Sequence, residues 1–368
     1  MTSMTRDRRP VTALPASIEL VGPVTGGVDT HGQTHHAAVI DLVGRLVGDR
    51  EFDTTPAGYR ALSLWLRSHG VPLDRVGVEG SGAYGAGLAR HLRTEGVTLV
   101  EVDRPDRSTR RSKGKSDPID AYAAARAALS GTATGAPKTR DGRVEAIRTL
   151  RLAKRSAIKA RTQAMNQLHA ALLTGPAELR EQLRAHTGQR LVGTCARLRQ
   201  PVTGHDLAAM PDPIPAATKS TLRRLARRHQ QLSDEISDID ADLLPLVAVA
   251  APALLALNGV GVEVAAQLLV TAGDNPDRLR SEAAFAHLCG VAPLPTSSGR
   301  TDRHRLNRGG DRAANSALHT ITLCRMRWDP RTRAYVTRRT AQGLSKKEII
   351  RCLMRYIARD IHTALLAP

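Results

Sequence analysis

Aromatic side chains are nearly absent: two Phe, five Tyr and two Trp, 2% of the chain. Leu, Val, Ile and Ala must therefore fill any core, and a base-stacking platform built on rows of aromatics is not expected. Cysteine is equally sparse. Cys195, Cys289, Cys324 and Cys352 form no CxxC pair, which argues against a disulfide framework or a cysteine zinc site. Long apolar runs are missing too. The most apolar stretch, Leu243 to Leu257, is too short to span a bilayer, and Pro245 and Pro252 interrupt it. The first residues, MTSMTRDRRPVTALPAS, lack the apolar centre of a signal peptide. Acidic residues are in deficit: 54 Lys plus Arg face 35 Asp plus Glu, a formal charge of +19. These absences describe a soluble, cytoplasmic protein with no membrane partner. Its charge calls for a polyanion, and nucleic acid leads because phosphate neutralisation by Lys and Arg drives such binding.

What is present suffices for folded domains. Hydrophobic residues make up 41% of 368, enough for two or three domains. Residues 1–20 read as a flexible tail. Residues 21–135 alternate strand and helix patterns. Strands are expected at Val24–Thr30, His35–Leu42, Leu46–Phe52, Arg75–Glu79 and Val97–Asp103. Helices are expected at Pro56–Ser68, Ala83–Thr94 and Pro118–Ser130. This is an α/β layer plan, and the early hairpins predict a mixed sheet.

Residues 136–250 are helical and highly charged. In TLRRLARRHQQLSDEISDIDADLL, Leu222, His229, Ile236 and Leu243 are spaced by seven, and Leu225, Leu232 and Ile239 follow three later. This is an a/d heptad. A helix over Arg143–Leu173 carries a weaker version through Ile158, Met165 and Leu172. The two together predict an antiparallel coiled-coil arm, with His229 as a register or oligomer determinant. The heptads leave open whether the arm pairs within the chain or between copies, and an ordinary helical bundle gives the same pattern. Residues 251–368 predict a compact helical domain. There, LLALNGVGVEVAAQLLV resembles a helix-hairpin-helix whose turn, Gly259 to Gly261, can offer backbone N–H groups to a phosphate. A plain turn between helices looks the same.

Four carboxylates stand out by position. Asp29 ends the first strand, in GGVDTHG, and Glu79 ends a later one, in VGVEGSG. Asp117 and Asp120, in KSDPIDA, share one face of a starting helix. Strand ends and helix starts converge at one edge of an α/β sheet, where sites form. Carboxylates gathered there repel one another unless a cation intervenes, and hard Mg²⁺ with oxygen ligands relieves the repulsion. Two such ions suit in-line phosphoryl transfer. Taken singly, each acid also has a structural reading: a strand-end turn, or for Asp117 the N-cap of a helix with Pro118 behind it.

The order GVDTHGQTH, VGVEGSGAYG, KSDPIDA and GVAPLPTSSGRTDRHRLNRGGDRAAN resembles the insertion-sequence 110 family of transposases, over about residues 24 to 360. The resemblance implies an RNase H-like N-terminal domain similar to the junction resolvase RuvC, then a coiled-coil region and a C-terminal transposase domain. It implies Asp29, Glu79, Asp117 and Asp120 as Mg²⁺ ligands and Ser298, in PLPTSSG, as catalytic serine, with Ser297 beside it as the alternative. The implied site is composite, cutting and rejoining donor and target DNA through a 5′-phosphoserine link. It also implies guidance by a structured, element-encoded RNA. Strand exchange requires several such sites, hence a homo-oligomer, dimer or tetramer, held through the arm. The loop after the serine departs from the family in being more basic, so Arg300, Arg303, Arg305, Arg308 and Arg312 are expected phosphate contacts. Two other readings use the same residues: a metal-dependent nuclease or junction resolvase that uses water, and a non-catalytic nucleic-acid binder.

Overall fold

The computed structural model describes residues 22–103, 116–199, 204–297 and 304–367. The expected tail, Ser298, Arg300 and Arg303 lie outside the described residues. Two compact units divide the chain, Met1–Arg140 and Asp141–Pro368.

The first unit is built on a five-stranded mixed sheet of order β3-β2-β1-β4-β5. β1 (Val24–Thr30), β2 (Thr34–Ile40) and β3 (Leu46–Asp53) form an antiparallel meander, while β4 (Leu73–Glu79) and β5 (Leu99–Val102) run parallel to β1. α1 (Pro56–Arg67) starts where Thr55 accepts from the Gly58 amide, with Pro56 in the first turn. α2 (Ala86–Thr94) starts three residues later than expected, because Ala83 to Gly85 turn back onto the Gly80 carbonyl. Leu62, Leu66, Leu88 and Leu92 of these helices bury the face that carries Val24, Val28, Val76 and Val78.

α3 (Asp117–Leu129) belongs to the opposite face. Its buried residues are Ala121, Ala124, Ala125 and Ala128, together with Asp120. Small residues on the helix meet small residues on the sheet. A Cβ on Gly27 would fall against the Ala121 carbonyl and the Ala125 amide, and one on Gly77 against the Ala124 carbonyl. Backbone thus lies on backbone, an approach that only glycine permits.

The second unit is helical. α4 (Arg143–Leu173) pairs with α8 (Ile214–Ala250). The pair is antiparallel: Leu168 shares a cluster with Leu222 and Ala226, whereas Val144 and Ile147 share one with Leu243 and Val247. The heptad positions Leu222, His229, Ile236, Ile239 and Leu243 are buried, so the expected seam of α8 faces α4 of the same chain. The seam of α4 differs from the expectation in part. Met165 and Leu172 pack, partly buried, against the Leu168–Leu222 cluster, but Ile158 is 37% exposed. Ile147, Arg151, Lys154, Ala157, Ala164 and Leu168 are buried in the stripe. Two cations sit in that stripe, so hydrophobic spacing alone misplaces it.

α5 (Ala177–Leu183), α6 (Gly188–Ala196) and α7 (Gly204–Ala209) follow α4. Leu179, Leu183, Leu191, Val192 and Cys195 of α5 and α6 close the cluster at the Leu168–Leu222 end. At the other end α9 (Pro252–Leu255), α10 (Val262–Ala272), α11 (Glu282–Leu288), α12 (Arg312–Trp328) and α14 (Lys346–Leu365) share one core with α4 and α8. α13 (Pro330–Ala341) lies between α12 and α14 in the chain. A two-stranded hairpin, β6 (Leu294–Pro295) and β7 (His304–Arg305), stands between α11 and α12 in sequence. No helix among the described residues is long and apolar enough to cross a membrane.

Candidate active site

Register places the first acids. Val28 of β1 pairs with Val78 of β4, so Asp29 and Glu79 are the next residues on adjacent parallel strands. Each lies two residues beyond a glycine against which α3 packs, and residues i and i+2 of a strand share a face. Asp29 and Glu79 therefore belong to the face covered by α3, at the end where that helix begins. The strand ends are tied together, since the Thr30 hydroxyl donates to the Glu79 carbonyl at 2.8 Å. Gly80, at φ +71, then turns the chain away.

The first turn of α3 supplies Asp117 and Asp120. Its N-cap is Ser116, so the cap reading of Asp117 does not hold and its carboxylate is not spent on capping. Ligand atoms of Asp29, His31 and Asp117 all lie within 4.8 Å of one another. His31 Nδ1 is 3.8 Å from Asp29 Oδ2. Glu79 and Asp120 are outside that three-residue group but buried, each 6% exposed.

The electrostatics show what the cluster costs. Burial raises the Asp29 carboxyl above the usual carboxylate range; His31 opposes this, and the charges of Asp120 and Asp117 add to it. Asp29 Oδ2 is buried and has no hydrogen-bond partner among the described residues. A buried acceptor in that state is destabilising unless a donor or cation completes it.

His31 was not among the residues singled out by sequence. The available signal was its position two residues past Asp29, which returns a side chain to the same side. Tyr84 was also missed. It is 59% exposed, and a Cβ on Gly32 would stand 3.5 Å from its ring, which puts an aromatic beside the His31–Gly32 turn.

In the second unit, Arg305, Arg308 and Arg312 are exposed. The hairpin that carries Arg305 is anchored from both sides. Asn307 donates to the His287 carbonyl at 3.0 Å. Asn315 donates to the carbonyls of Cys289 and Gly290 at 3.1 and 3.2 Å. Gly259 adopts φ +80 against Ile321 and Cys324, and Gly261 is the N-cap of α10. The helix before this turn, α9, is only four residues long.

Two family models match the chain. The IS110 DEDD transposase model matches residues 26–175, and the model of the transposase IS116/IS110/IS902 family matches 251–337. The chain belongs to the IS110 family of transposases. Among curated relatives, the 43.6 kDa protein of insertion element IS110 from Streptomyces coelicolor is 37% identical over 106 residues, 28% of this chain and 26% of the relative. The 42 kDa protein of insertion element IS900 from Mycobacterium paratuberculosis is 29% identical over 139 residues, 37% of this chain and 35% of the relative. The chain thus spans about a quarter to a third of these relatives. Asp29, Glu79, Asp117 and Asp120 all fall in the first IS110-family segment, and the β6–β7 hairpin falls in the second.

Proposed function

We propose that this chain is a metal-dependent DNA recombinase of an insertion sequence, with an RNase H-like first unit. One observation carries the reading: Asp29, His31 and Asp117 bring ligand atoms within 4.8 Å of one another, around a buried carboxylate oxygen that accepts no hydrogen bond among the described residues. Two carboxylates and an imidazole suit a divalent cation of the Mg²⁺ or Mn²⁺ type. Glu79 and Asp120, buried nearby, complete the donor set for a second ion. When bound, such ions stabilise charge on a phosphate and on the attacking oxygen.

The chain's own residues supply the rest. Ser298 is the nucleophile in this reading, with Ser297 its neighbour. Its Oγ–P bond forms as the P–O3′ bond breaks, and the serine proton passes to the departing 3′ oxygen. The 5′-phosphoserine link keeps the phosphodiester energy for rejoining by another 3′-hydroxyl. Arg300, Arg303, Arg305, Arg308 and Arg312, with the backbone at Gly259–Gly261, hold phosphates. Donor and target DNA, a structured guide RNA and further copies of the chain complete the assembly, which family membership and a charge of +19 support.

The test is a search for a covalent adduct. The protein is expressed with its native flanking DNA, mixed with labelled donor DNA and Mg²⁺, and run on a denaturing gel. A shifted band lost in Ser298→Ala and in EDTA is expected. A band lost instead in Ser297→Ala moves the nucleophile by one residue. Cleaved DNA without an adduct, indifferent to both serines, overturns the serine in favour of water. DNA affinity with neither cleavage nor adduct even in Mg²⁺, with the element's RNA and target present, overturns the enzyme.

A further inference from the structure

Residues 327–359 combine aromatic rings with a high density of arginine. Three of the chain's nine aromatic residues fall there, Trp328, Tyr335 and Tyr356. Trp328 and Tyr356 are 66% and 48% exposed. A large ring left in water contributes nothing to a core. In a chain so poor in aromatics, two such rings in one short region ask for a partner.

α13 has the same character. Its twelve residues include Arg331, Arg333, Arg338 and Arg339, no acid, and one buried side chain, Thr332. The carboxylates nearby are already engaged. Asp329 caps α13, Glu348 closes a capping box with Ser345, Asp360 takes Arg325, and Glu282 takes Arg355 and Arg359. Among the described residues, no ion pair joins Arg327, Arg333 or Arg338 to a carboxylate.

Rings and guanidinium groups are interleaved. Arg327 lies 4.8 Å from the Trp328 ring centroid, Arg338 lies 5.5 Å from that of Tyr335, and Arg359 lies 5.5 Å from that of Tyr356. Tyr335 and Tyr356 meet edge to face at 5.9 Å. Both exposed rings therefore carry a guanidinium over one face, and a base that stacks on the exposed part of such a ring brings its phosphate close to the cation. A duplex cannot use the rings, because its bases are already stacked on one another.

We propose that α13, with Trp328 and Tyr356, is a binding site for unpaired nucleotides of single-stranded nucleic acid. Trp328 and Tyr356 stack on bases; Arg327, Arg333 and Arg338 hold the backbone. The aromatics form no rows, as their scarcity dictates: Trp328 stands just before α13, and Tyr356 meets Tyr335 of that helix. The site needs neither the carboxylate cluster nor Ser298, so it stands whether or not the cleavage reading does.

Trp328 provides a direct probe, because the chain's other tryptophan, Trp65, packs against Phe52 and His69 in the first unit. The full-length protein in EDTA is titrated with oligo-dT, oligo-rU and a duplex, each of about twelve nucleotides or base pairs. Single strands should quench tryptophan emission in the wild type but not in Trp328→Phe, where only Trp65 reports. By anisotropy, Trp328→Ala and Tyr356→Ala should each weaken single-strand binding about fivefold or more. Both should leave duplex binding within about twofold and leave the salt slope of single-strand binding unchanged. Arg338→Gln should instead lower that slope by about 0.7. The ratio of dT to rU affinity in the wild type tells DNA from RNA as the source of the strand. Single-strand affinity unchanged in Trp328→Ala, equal losses for duplex and single strand, or emission that ignores the oligonucleotide each overturns the proposal.

Discussion

Gly27 and Gly77 face each other across β1 and β4, and α3 rests directly on both. The helix is lowered onto the sheet at this pair, which is how the turn bearing Asp117 reaches Asp29. A Cβ on Gly27 would meet main-chain atoms of α3, which cannot swing aside. Gly27→Ala should therefore lift the helix and cost about 1–3 kcal/mol as an overpacked core does. Gly26→Ala is the control, since its Cβ meets the Leu66 and Val76 side-chain tips at 3.1 Å. Urea unfolding followed at Trp65 checks both. A Gly27→Ala midpoint equal to that of Gly26→Ala contradicts the packing argument.

Asp29, a metal ligand in the proposed site, costs stability when ionised in the absence of metal. Its folded-state pKa lies above the ordinary 3.8, through burial first and the neighbouring acids after it. A raised carboxyl pKa means that its contribution is present below about 3.8 and is lost as pH rises through the folded value. At pH 7 without metal, the ionised group is a cost. Asp29→Asn should raise the melting temperature in EDTA by about 2–4 °C, the equivalent of roughly 1 kcal/mol. The same change should abolish the further rise that Mn²⁺ or Mg²⁺ gives the wild type. A variant that melts lower in EDTA, or keeps its metal response, refutes the assignment.

His35 carries a pH dependence of the opposite kind. It is fully buried and stacked on Tyr59 at 5.7 Å. Burial lowers its pKa from 6.5, and the charge of His31 adds to this, against the Thr34 backbone. The unfolded chain then binds the proton more readily than the folded one. Stability is complete above about 6.5 and falls as pH drops from there through the folded value. His35→Leu should flatten that part of the stability profile in thermal melts between pH 7 and about pH 5. An unchanged slope would assign the acid sensitivity to other groups.

Arg151 and Lys154 are buried on α4 and are joined by acids from two other helices. Lys154 Nζ lies 2.5 Å from Asp240 on α8 and 2.7 Å from Glu263 on α10, and Arg151 reaches Glu263 at 2.7 Å. The cations are the desolvated partners; their side chains are 8% exposed, against 50% for the acids. Removing an acid strands buried positive charge, whereas removing Lys154 leaves acids that water can reach. Glu263→Gln should thus destabilise by about 3 kcal/mol, and Lys154→Met by under about 1 kcal/mol. Chemical denaturation of the two variants decides it, and the reverse order would mean that the acids are the strained partners.

Much of this protein was legible along the chain. β1 and the heptads of α8 could be read because strand and helix spacings follow from local backbone geometry. Strand ends and a helix start also marked Asp29, Glu79, Asp117 and Asp120 as acids that an α/β layer gathers at one edge. The seam of α4 was legible only at Met165 and Leu172, because Arg151 and Lys154 read as surface residues until Glu263 and Asp240 arrive from elsewhere. His31 had only its position two residues past Asp29 to mark it, and nothing local placed Tyr84 beside the His31–Gly32 turn.

The sequence by itself determined the strands and helices of the first unit, the two long helices, the family and the set of acids available, all of which depend on residues near one another in the chain. Only the tertiary structure decided which ligand atoms meet. That depends on the β1–β4 register and on how deep α3 can sink, and two glycines 50 positions apart set it jointly. It also decided that the α8 seam is spent on α4, and that Trp328 and Tyr356 remain in water with arginines beside them.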